Sequence, residues 1–188
     1  MKKIIVIAIV VLVAILGICL VSSTGRTTNN RTLVAYFSAT GNTAAVAERL
    51  ATATGADLFE IKPVAPYTAE DLDWHNDKSR SSTEMADRGS RPEIASRVEN
   101  MEQYDLVFVG FPIWWGREPS VVDTFLESYD FAGKTIVPFA TSGSTPTTAD
   151  ADESIRAIVP NANVVTGKRF PNDVSADELK SWASEWLK

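Results

Sequence analysis

The sequence predicts an α/β fold in which one doubly wound parallel sheet of five strands lies between layers of helices. Five short β-prone segments recur along the chain, and helical patterns separate them. This alternation is typical of parallel strands that are joined by crossover helices. The segment from Leu33 to Thr43, LVAYFSATGNT, passes from an apolar strand through a hydroxyl-rich loop into a helix. About 160 residues follow the N-terminal apolar run, which is enough for one domain with a single core.

The N-terminal residues 1–25 are predicted to be a signal peptide or a membrane anchor. Lys2 and Lys3 precede an uncharged, mostly aliphatic run from Ile4 to Val21, which is long enough to cross a bilayer at about 1.5 Å per residue. The basic flank is expected to stay in the cytoplasm, so the domain would lie on the outer face of the cytoplasmic membrane. We expect a linker over residues 26–31 and the folded domain over residues 32–188.

Cleavage and retention of this leader are two alternatives that the sequence leaves open. Val21 and Ser23 are small enough to precede a cut, whereas an uncut leader would anchor the protein to the membrane. Cys19 suggests a lipoprotein, but the bulky Ile18 stands where a small residue is expected before such a cysteine. Because Cys19 is the only cysteine, the domain has no disulfide, thiol nucleophile or cysteine metal site.

The charge of the domain disfavours nucleic acid as a partner. The chain has a formal net charge of −6, and removing the two positive charges of Lys2 and Lys3 leaves −8 for the residues from Arg26 onward. A surface of this sign repels the phosphate backbone of nucleic acid and attracts basic proteins. We therefore expect a protein partner with a basic docking surface.

Each predicted element of the first half has a local signal. The first helix, from Asn42 to Thr54, is rich in alanine and meets Gly55 as a C-terminal stop. A short helical pattern at Ile94, Val98 and Met101 precedes the third strand. The five predicted strands are Leu33–Phe37, Asp57–Ile61, Leu106–Phe111, Thr135–Thr141 and Asn163–Phe170.

Three helices are predicted in the second half. Pro119 suits the first turn of a crossover helix, which has an apolar stripe from Val121 to Tyr129. The next helix is expected to begin near Thr147 or Thr148, with acidic residues in its first turn, and to end at Pro160. The last helix has a capping box of Ser175 and Glu178, and its periodic face includes Trp182 and Trp186, which we expect in the core.

Two features do not fit a regular sheet. Pro138 interrupts the fourth strand and lacks a ladder donor, so we expect a bulge there. The segment from Lys62 to Arg91 is polar and shows no sustained period, and long irregular connections are often functional. Its acidic residues around His75 suggest a metal site, but they lack a fixed ligand frame, so we expect a solvated loop. These residues are Asp71, Asp73, His75 and Asp77.

The loop after the first strand has the composition of a phosphate cradle. Unpaired amides at a helix start carry the positive end of the helix dipole, and the hydroxyls of Ser38, Thr40 and Thr43 can join them. Gly41 stands alone without a lysine, which excludes the triphosphate and dinucleotide motifs. Neutral donors without a cation favour a small mononucleotide, although an ordinary helix cap has a similar composition.

The loops after the third and fourth strands are expected to meet this cradle, because ligands bind at the carboxyl ends of strands where the winding reverses. Trp114 and Trp115 are adjacent in the first of these loops, which is costly unless they cover something flat and apolar. Packing under neighbouring loops is the alternative for either one alone. The loop 141–146, TSGSTP, offers uncharged donors to the polar edge of a heterocycle.

Three loop sequences together resemble those of bacterial flavodoxins. They are SATGNT after the first strand, GFPIWWG after the third and FATSGS after the fourth. The resemblance covers nearly all of residues 32–188. It is strongest to flavodoxin-like proteins that carry the PIWWG loop and a DLDW…SRSSTEM…SRPEI stretch, which lies here within residues 71–94.

The resemblance implies the sheet order 2-1-3-4-5 and noncovalently bound FMN, with its phosphate on the first loop and its ring between the other two. In flavodoxins, a peptide of the loop after the third strand meets the flavin N5 edge, and Trp115, Gly116 and Arg117 are the candidates here. Arg117 would place a cation beside the ring. The cofactor-binding residues implied are Ser38, Ala39, Thr40, Gly41, Asn42, Thr43, Pro112, Ile113, Trp114, Trp115, Gly116, Thr141, Ser142, Gly143 and Ser144.

The predicted function is electron transfer between redox partners, with no catalytic residue and no metal. Acidic residues around the flavin disfavour its reduced anionic form and therefore lower its reduction potential for the second electron. The alternative is an FMN-dependent NAD(P)H:quinone or flavin reductase, because that chemistry occurs on the same fold. A tethered module without flavin is a third possibility. A receiver-type signalling module is disfavoured, because Ser38 and Pro112 stand where it needs acidic residues.

Overall fold

A computed structural model describes residues 31–187 of the chain. The predicted leader over residues 1–25 and residues 26–30 of the predicted linker lie outside the described residues, as does Lys188. Arg31, the last residue of the predicted linker, is instead the first residue of the first strand. Within the described part, no helix is both long enough and apolar enough to cross a membrane.

A parallel sheet forms the centre of the domain, and its strand order β2-β1-β3-β4-β5 confirms the predicted 2-1-3-4-5. A sixth strand, β6, pairs with β4 beyond the end of β5. All of the pairings are parallel, as the alternation of strands and helices predicts. The strands are β1 Arg31–Tyr36, β2 Asp57–Glu60, β3 Tyr104–Pro112, β4 Thr135–Thr141, β5 Asn163–Val164 and β6 Lys168–Phe170.

Helices cover both faces of the sheet and bury two apolar clusters. On one face, Val46 and Leu50 of the first helix pack with Leu179 of the last helix against Val34 and Phe108. The other face is buried under the third and fourth helices. The helices are α1 Asn42–Thr54, α2 Arg80–Ala86, α3 Ser120–Glu127, α4 Ala149–Ile158 and α5 Ala176–Ala183.

The helix termini follow the sequence signals closely. Gly55 ends α1 in the left-handed conformation with φ 70°, which a residue without Cβ adopts at little cost. Ser175 caps α5 by accepting a hydrogen bond from the Glu178 amide. Pro119 lies one position outside α3, as its N-cap. Trp182 packs against Phe170 in the core beside the sheet, as expected.

Pro138 does not cause a bulge in β4, contrary to the prediction. β4 keeps one register with β3 along its whole length, and Pro138 pairs there with Val109. On the side of β4 away from β3, the Lys134 and Ile136 carbonyls accept ladder hydrogen bonds from the neighbouring strand. Alternate residues of a strand face the same neighbour, so Pro138 also faces that strand, but it has no amide hydrogen to donate. The neighbouring strand breaks at this point into β5 and β6, and the Gly167 amide donates to Asp152 Oδ2 at 3.0 Å instead. The irregularity therefore lies in the partner strand.

The chain between β2 and β3 differs most from the prediction. The segment Lys62 to Arg91 contains α2, which its polar sequence did not reveal. The short helical pattern at Ile94, Val98 and Met101 does not form a helix, because Ile94 pairs with Pro63 in an isolated bridge. Only a 3₁₀ turn, Met101–Gln103, follows it before β3.

Candidate functional site

A cleft of about 450 Å³ opens at the carboxyl ends of the strands, where the winding of the sheet reverses. The three loops predicted to converge do meet there. Ten of the residues expected to bind the cofactor line the cleft, together with four that were not expected. The expected ones are Ala39, Thr40, Pro112, Ile113, Trp114, Trp115, Gly116, Ser142, Gly143 and Ser144, and the others are Leu72, Trp74, Ser81 and Thr145.

The loop before α1 presents backbone donors rather than a closed cap. Gly41 is the N-cap residue with φ 86°, a left-handed conformation that suits glycine. Among the described residues, no side chain caps α1, whereas Ser79 and Ser175 cap α2 and α5. Ser38 Oγ accepts a hydrogen bond from the Gly41 amide at 3.1 Å and so shapes the loop. The first-turn amides of α1 remain available to an anion.

Thr43 differs from its expected role in this cradle. Its side chain is buried, and its Oγ1 lies 2.9 Å from Thr141 Oγ1, across the gap between α1 and β4. The hydroxyl is therefore used inside the protein. The backbone amide in the first turn of α1 is the group that Thr43 can offer to a ligand.

A cation lies next to the cradle, contrary to the expectation of a wholly neutral site. A second cavity of about 400 Å³ continues from the cleft, and Thr40 and Asn42 line it together with Arg169 and Asn172. Arg169 donates to the Ser142 carbonyl at 3.2 Å. Sequence reasoning missed Arg169 because it is contributed by β6, far along the chain from the cradle.

The Trp114–Arg117 segment forms a tight two-residue turn. The Trp114 and Arg117 backbones exchange hydrogen bonds of 2.9 and 3.1 Å. The two residues between them have positive φ, 46° at Trp115 and 88° at Gly116, which is the pattern of a type I′ turn. A bulky residue in this region is strained, and such strain concentrates at ligand-binding sites. The turn predicted to meet a flavin is therefore a fixed, strained structure.

The two adjacent tryptophans have different environments. Trp114 is half-buried and packs edge-on against Phe37 at 5.6 Å and Tyr67 at 5.2 Å, measured between ring centroids. Trp115 is 54% exposed at the rim of the cleft. The packing alternative thus describes much of Trp114, whereas Trp115 presents its indole to the cleft.

Arg117 points into the protein rather than beside the expected ring. Its Nη1 donates to Asp123 Oδ2 at 3.0 Å and lies 3.5 Å from Glu118 Oε1. Burial raises the pKa of Glu118 to about 8, although a hydrogen bond from Ser154 opposes this change. Burial likewise raises the pKa of Asp123. Because Arg117 is buried against these two carboxyl groups, its guanidinium contributes little charge to the cleft.

Comparison with known protein families identifies the domain. Residues 31–186 match the family model described as Flavodoxin. The chain belongs to the flavodoxin family. No curated protein sequence matched in the corresponding comparison.

Solved structures similar to this flavodoxin agree with that assignment. A candidate flavoprotein from Bacteroides eggerthii is 44% identical, with a TM-score of 0.79 over 84% of this chain and 98% of that one. A second, from Bacteroides uniformis, is 45% identical, with a TM-score of 0.78 over 82% and 98%. A Lactobacillus acidophilus flavoprotein solved in complex with FMN has the same fold at 22% identity, with a TM-score of 0.65 over 85% and 99%.

The segment 62–91 contributes three of the four residues of this flavodoxin's cleft that sequence reasoning missed. Leu72, Trp74 and Ser81 all lie in it and line the cleft. The acidic residues suspected of metal binding serve local turns instead. Asp71 Oδ2 accepts from the Thr68 amide at 2.9 Å, and Asp73 Oδ1 accepts from the His75 amide at 3.1 Å. The signal that could have identified the segment is Trp74, an indole in an otherwise polar stretch.

Proposed function

We propose that this flavodoxin binds FMN noncovalently and carries electrons between redox proteins. Membership of the flavodoxin family and the FMN complex of the Lactobacillus protein support FMN as the cofactor. The observation that carries the proposal is the cleft of about 450 Å³, which is lined by the exposed indoles of Trp74 and Trp115 and continues into a second cavity at the uncapped start of α1. Such a mixture of apolar walls and few polar groups is typical of a cofactor site.

The chemical groups around the cleft fit the parts of FMN. The free amides at the start of α1, with Thr40, would hold the phosphate, and Arg169 adds a positive charge nearby. The loop 142–145 offers mainly hydroxyl groups to the polar edge of the ring, because two of its amides already donate to Ser142 Oγ. The turn at Trp115 and Gly116 would hold backbone groups beside the ring. When bound, FMN supplies one-electron and two-electron transfer.

Charges around the cleft support a basic redox partner. Asp150 Oδ2 lies 3.4 Å from the position that a Cβ on Gly116 would occupy, so a carboxylate stands beside the turn. Asp73 and Asp77 are exposed in the stretch that contains Trp74. These carboxylates would steer a positively charged protein toward the cleft. Because the N-terminal apolar segment is predicted to export or anchor the domain, we propose that this encounter takes place at the outer face of the cytoplasmic membrane.

An FMN-dependent NAD(P)H:quinone or flavin reductase is the second candidate. The cleft opens to solvent beside exposed aromatic side chains, which is compatible with a second planar substrate. An NADH:FMN oxidoreductase shares the fold at 20% identity, with a TM-score of 0.51.

Purification of the protein followed by spectroscopy tests the proposal. We expect a yellow preparation that releases FMN on denaturation, and an apoprotein that regains its colour when FMN is added. Steady oxidation of NADH or NADPH with a quinone acceptor would establish the reductase instead. A colourless protein that binds no added FMN would refute both candidates.

A further inference from the structure

We infer that the segment 62–91 forms a further wall of the cleft and that Trp74 covers part of the FMN ring. This inference rests on the proposed function and adds a ring-binding residue to it. Its starting point is the exposure of Trp74, which is 67% exposed although burial of an indole is strongly favourable. Trp74 and Trp115 are the two exposed tryptophans among residues 31–187, and both line the same cleft.

The segment that carries Trp74 is tied to the domain at several points. The Val64 amide donates to the Glu93 carbonyl at 2.8 Å, and the Ala95 amide donates to the Lys62 carbonyl at 2.7 Å. The Ser81 amide donates to the Asp71 carbonyl at 2.9 Å, which closes the loop around Trp74. The indole is therefore held near the cleft by a fixed backbone.

Side-chain contacts join the same segment to the turn that the flavin is expected to meet. Arg80 Nε donates to Glu84 Oε1 at 2.6 Å, and its guanidinium lies 4.1 Å from the centroid of the Tyr67 ring. Tyr67 in turn packs edge-on against Trp114. In addition, the Ser120 hydroxyl donates to the Glu84 carbonyl at 3.1 Å. The wall and the turn thus form one connected structure around the cleft.

The chemistry of the position favours a flat aromatic ligand over a polar one. The Trp74 ring lies against the His75 ring, with centroids 3.5 Å apart and planes tilted by 34°, so His75 contacts one face of the indole. Leu72 lines the cleft beside it and adds an aliphatic contact. The isoalloxazine ring of FMN is planar and aromatic, so it can bury indole surface that is otherwise exposed to water.

The test compares the binding of FMN and riboflavin by the full chain and by four variants. Stacking of an aromatic side chain on a planar heterocycle contributes enough that Trp74→Ala should weaken both ligands by about 5- to 100-fold. Trp74→Phe should restore most of the affinity. Thr40→Val should weaken FMN but not riboflavin, because riboflavin has no phosphate. Val64→Ala is the matched control, since Val64 is 54% exposed in the same segment but does not line the cleft.

Each result decides between the two proposals. Equal losses for FMN and riboflavin in Trp74→Ala, with no loss in Val64→Ala, would support a ring contact. Unchanged affinities of Trp74→Ala for FMN and riboflavin would overturn the inference and leave the proposed FMN site intact. Weaker binding of a redox protein by the same variant would not rescue the inference. Failure of the wild-type protein to bind either ligand would overturn the proposed function and this inference together.

Discussion

The buried hydroxyl pair of Thr43 and Thr141 provides a sharp test of how α1 is joined to the sheet. The two Oγ1 atoms are 2.9 Å apart, and both side chains are buried. Valine has nearly the same shape as threonine but no hydroxyl. In Thr43→Val the Thr141 hydroxyl loses its partner inside the protein, and Thr141→Val leaves the Thr43 hydroxyl in the same condition. An unpaired buried polar group costs about 1–3 kcal/mol.

The double variant is expected to be more stable than either single variant. Replacing both partners of a buried hydrogen bond by apolar groups of the same shape is close to neutral. Urea denaturation would measure the effect. For an m-value of about 2 kcal/mol/M, each single variant should lower the midpoint by roughly 0.5–1.5 M. The double variant should have a midpoint close to that of the wild type.

Two results would refute this reasoning. A double variant that loses the sum of the single losses would show that the hydroxyls act independently. A large loss of FMN affinity in Thr43→Val would show that this hydroxyl serves the phosphate rather than Thr141. Matched circular dichroism spectra of the three variants provide the control for an unchanged fold.

Three further predictions follow from the core, the buried acid and the cation near the cradle. Gly110→Ala should destabilise the protein by about 1–3 kcal/mol or more in thermal denaturation, because its Cβ would lie 2.2 Å from the Phe139 ring. Burial raises the pKa of Glu118 from 4.5 to about 8, so this carboxyl group stabilises the folded state fully below pH 4.5, and that contribution is lost as the pH rises to about 8. Glu118→Gln should therefore flatten the decline of the urea midpoint over this pH range. Arg169→Gln should weaken FMN about 10-fold and leave riboflavin unchanged in fluorescence titrations, and high salt should reduce the difference.

Local signals made most of the fold predictable from the sequence. The alternation of strands and helices gives the parallel sheet, and Gly55 and Ser175 mark helix termini through backbone conformations that depend on a few residues. The convergence of three loops was equally accessible, because the carboxyl ends of parallel strands share one edge. The break between β5 and β6 was not predicted, because it lies opposite Pro138 in the neighbouring strand rather than in the strand that contains Pro138.

The remainder of the site depended on contacts between distant parts of the chain. Arg169 approaches the cradle only because β6 pairs with β4. Arg117 ends the turn in sequence, but its guanidinium lies in the protein interior, where it donates a hydrogen bond to Asp123 on α3. The segment 62–91 lacks an apolar period because much of its order comes from Arg80, Glu84 and backbone hydrogen bonds. Such polar networks leave little trace in hydrophobic periodicity.

The left-handed backbone at Trp115 bears on how the protein could be engineered. A non-glycine residue in that region costs about 1–3 kcal/mol, which glycine would relieve. A directed-evolution campaign that rewarded heat resistance alone would therefore favour glycine at position 115 and discard the indole at the cleft rim. A library selected for retained yellow colour after heating would instead favour tryptophan at this position. The residue found at position 115 would therefore show whether stability or flavin binding had been selected more strongly.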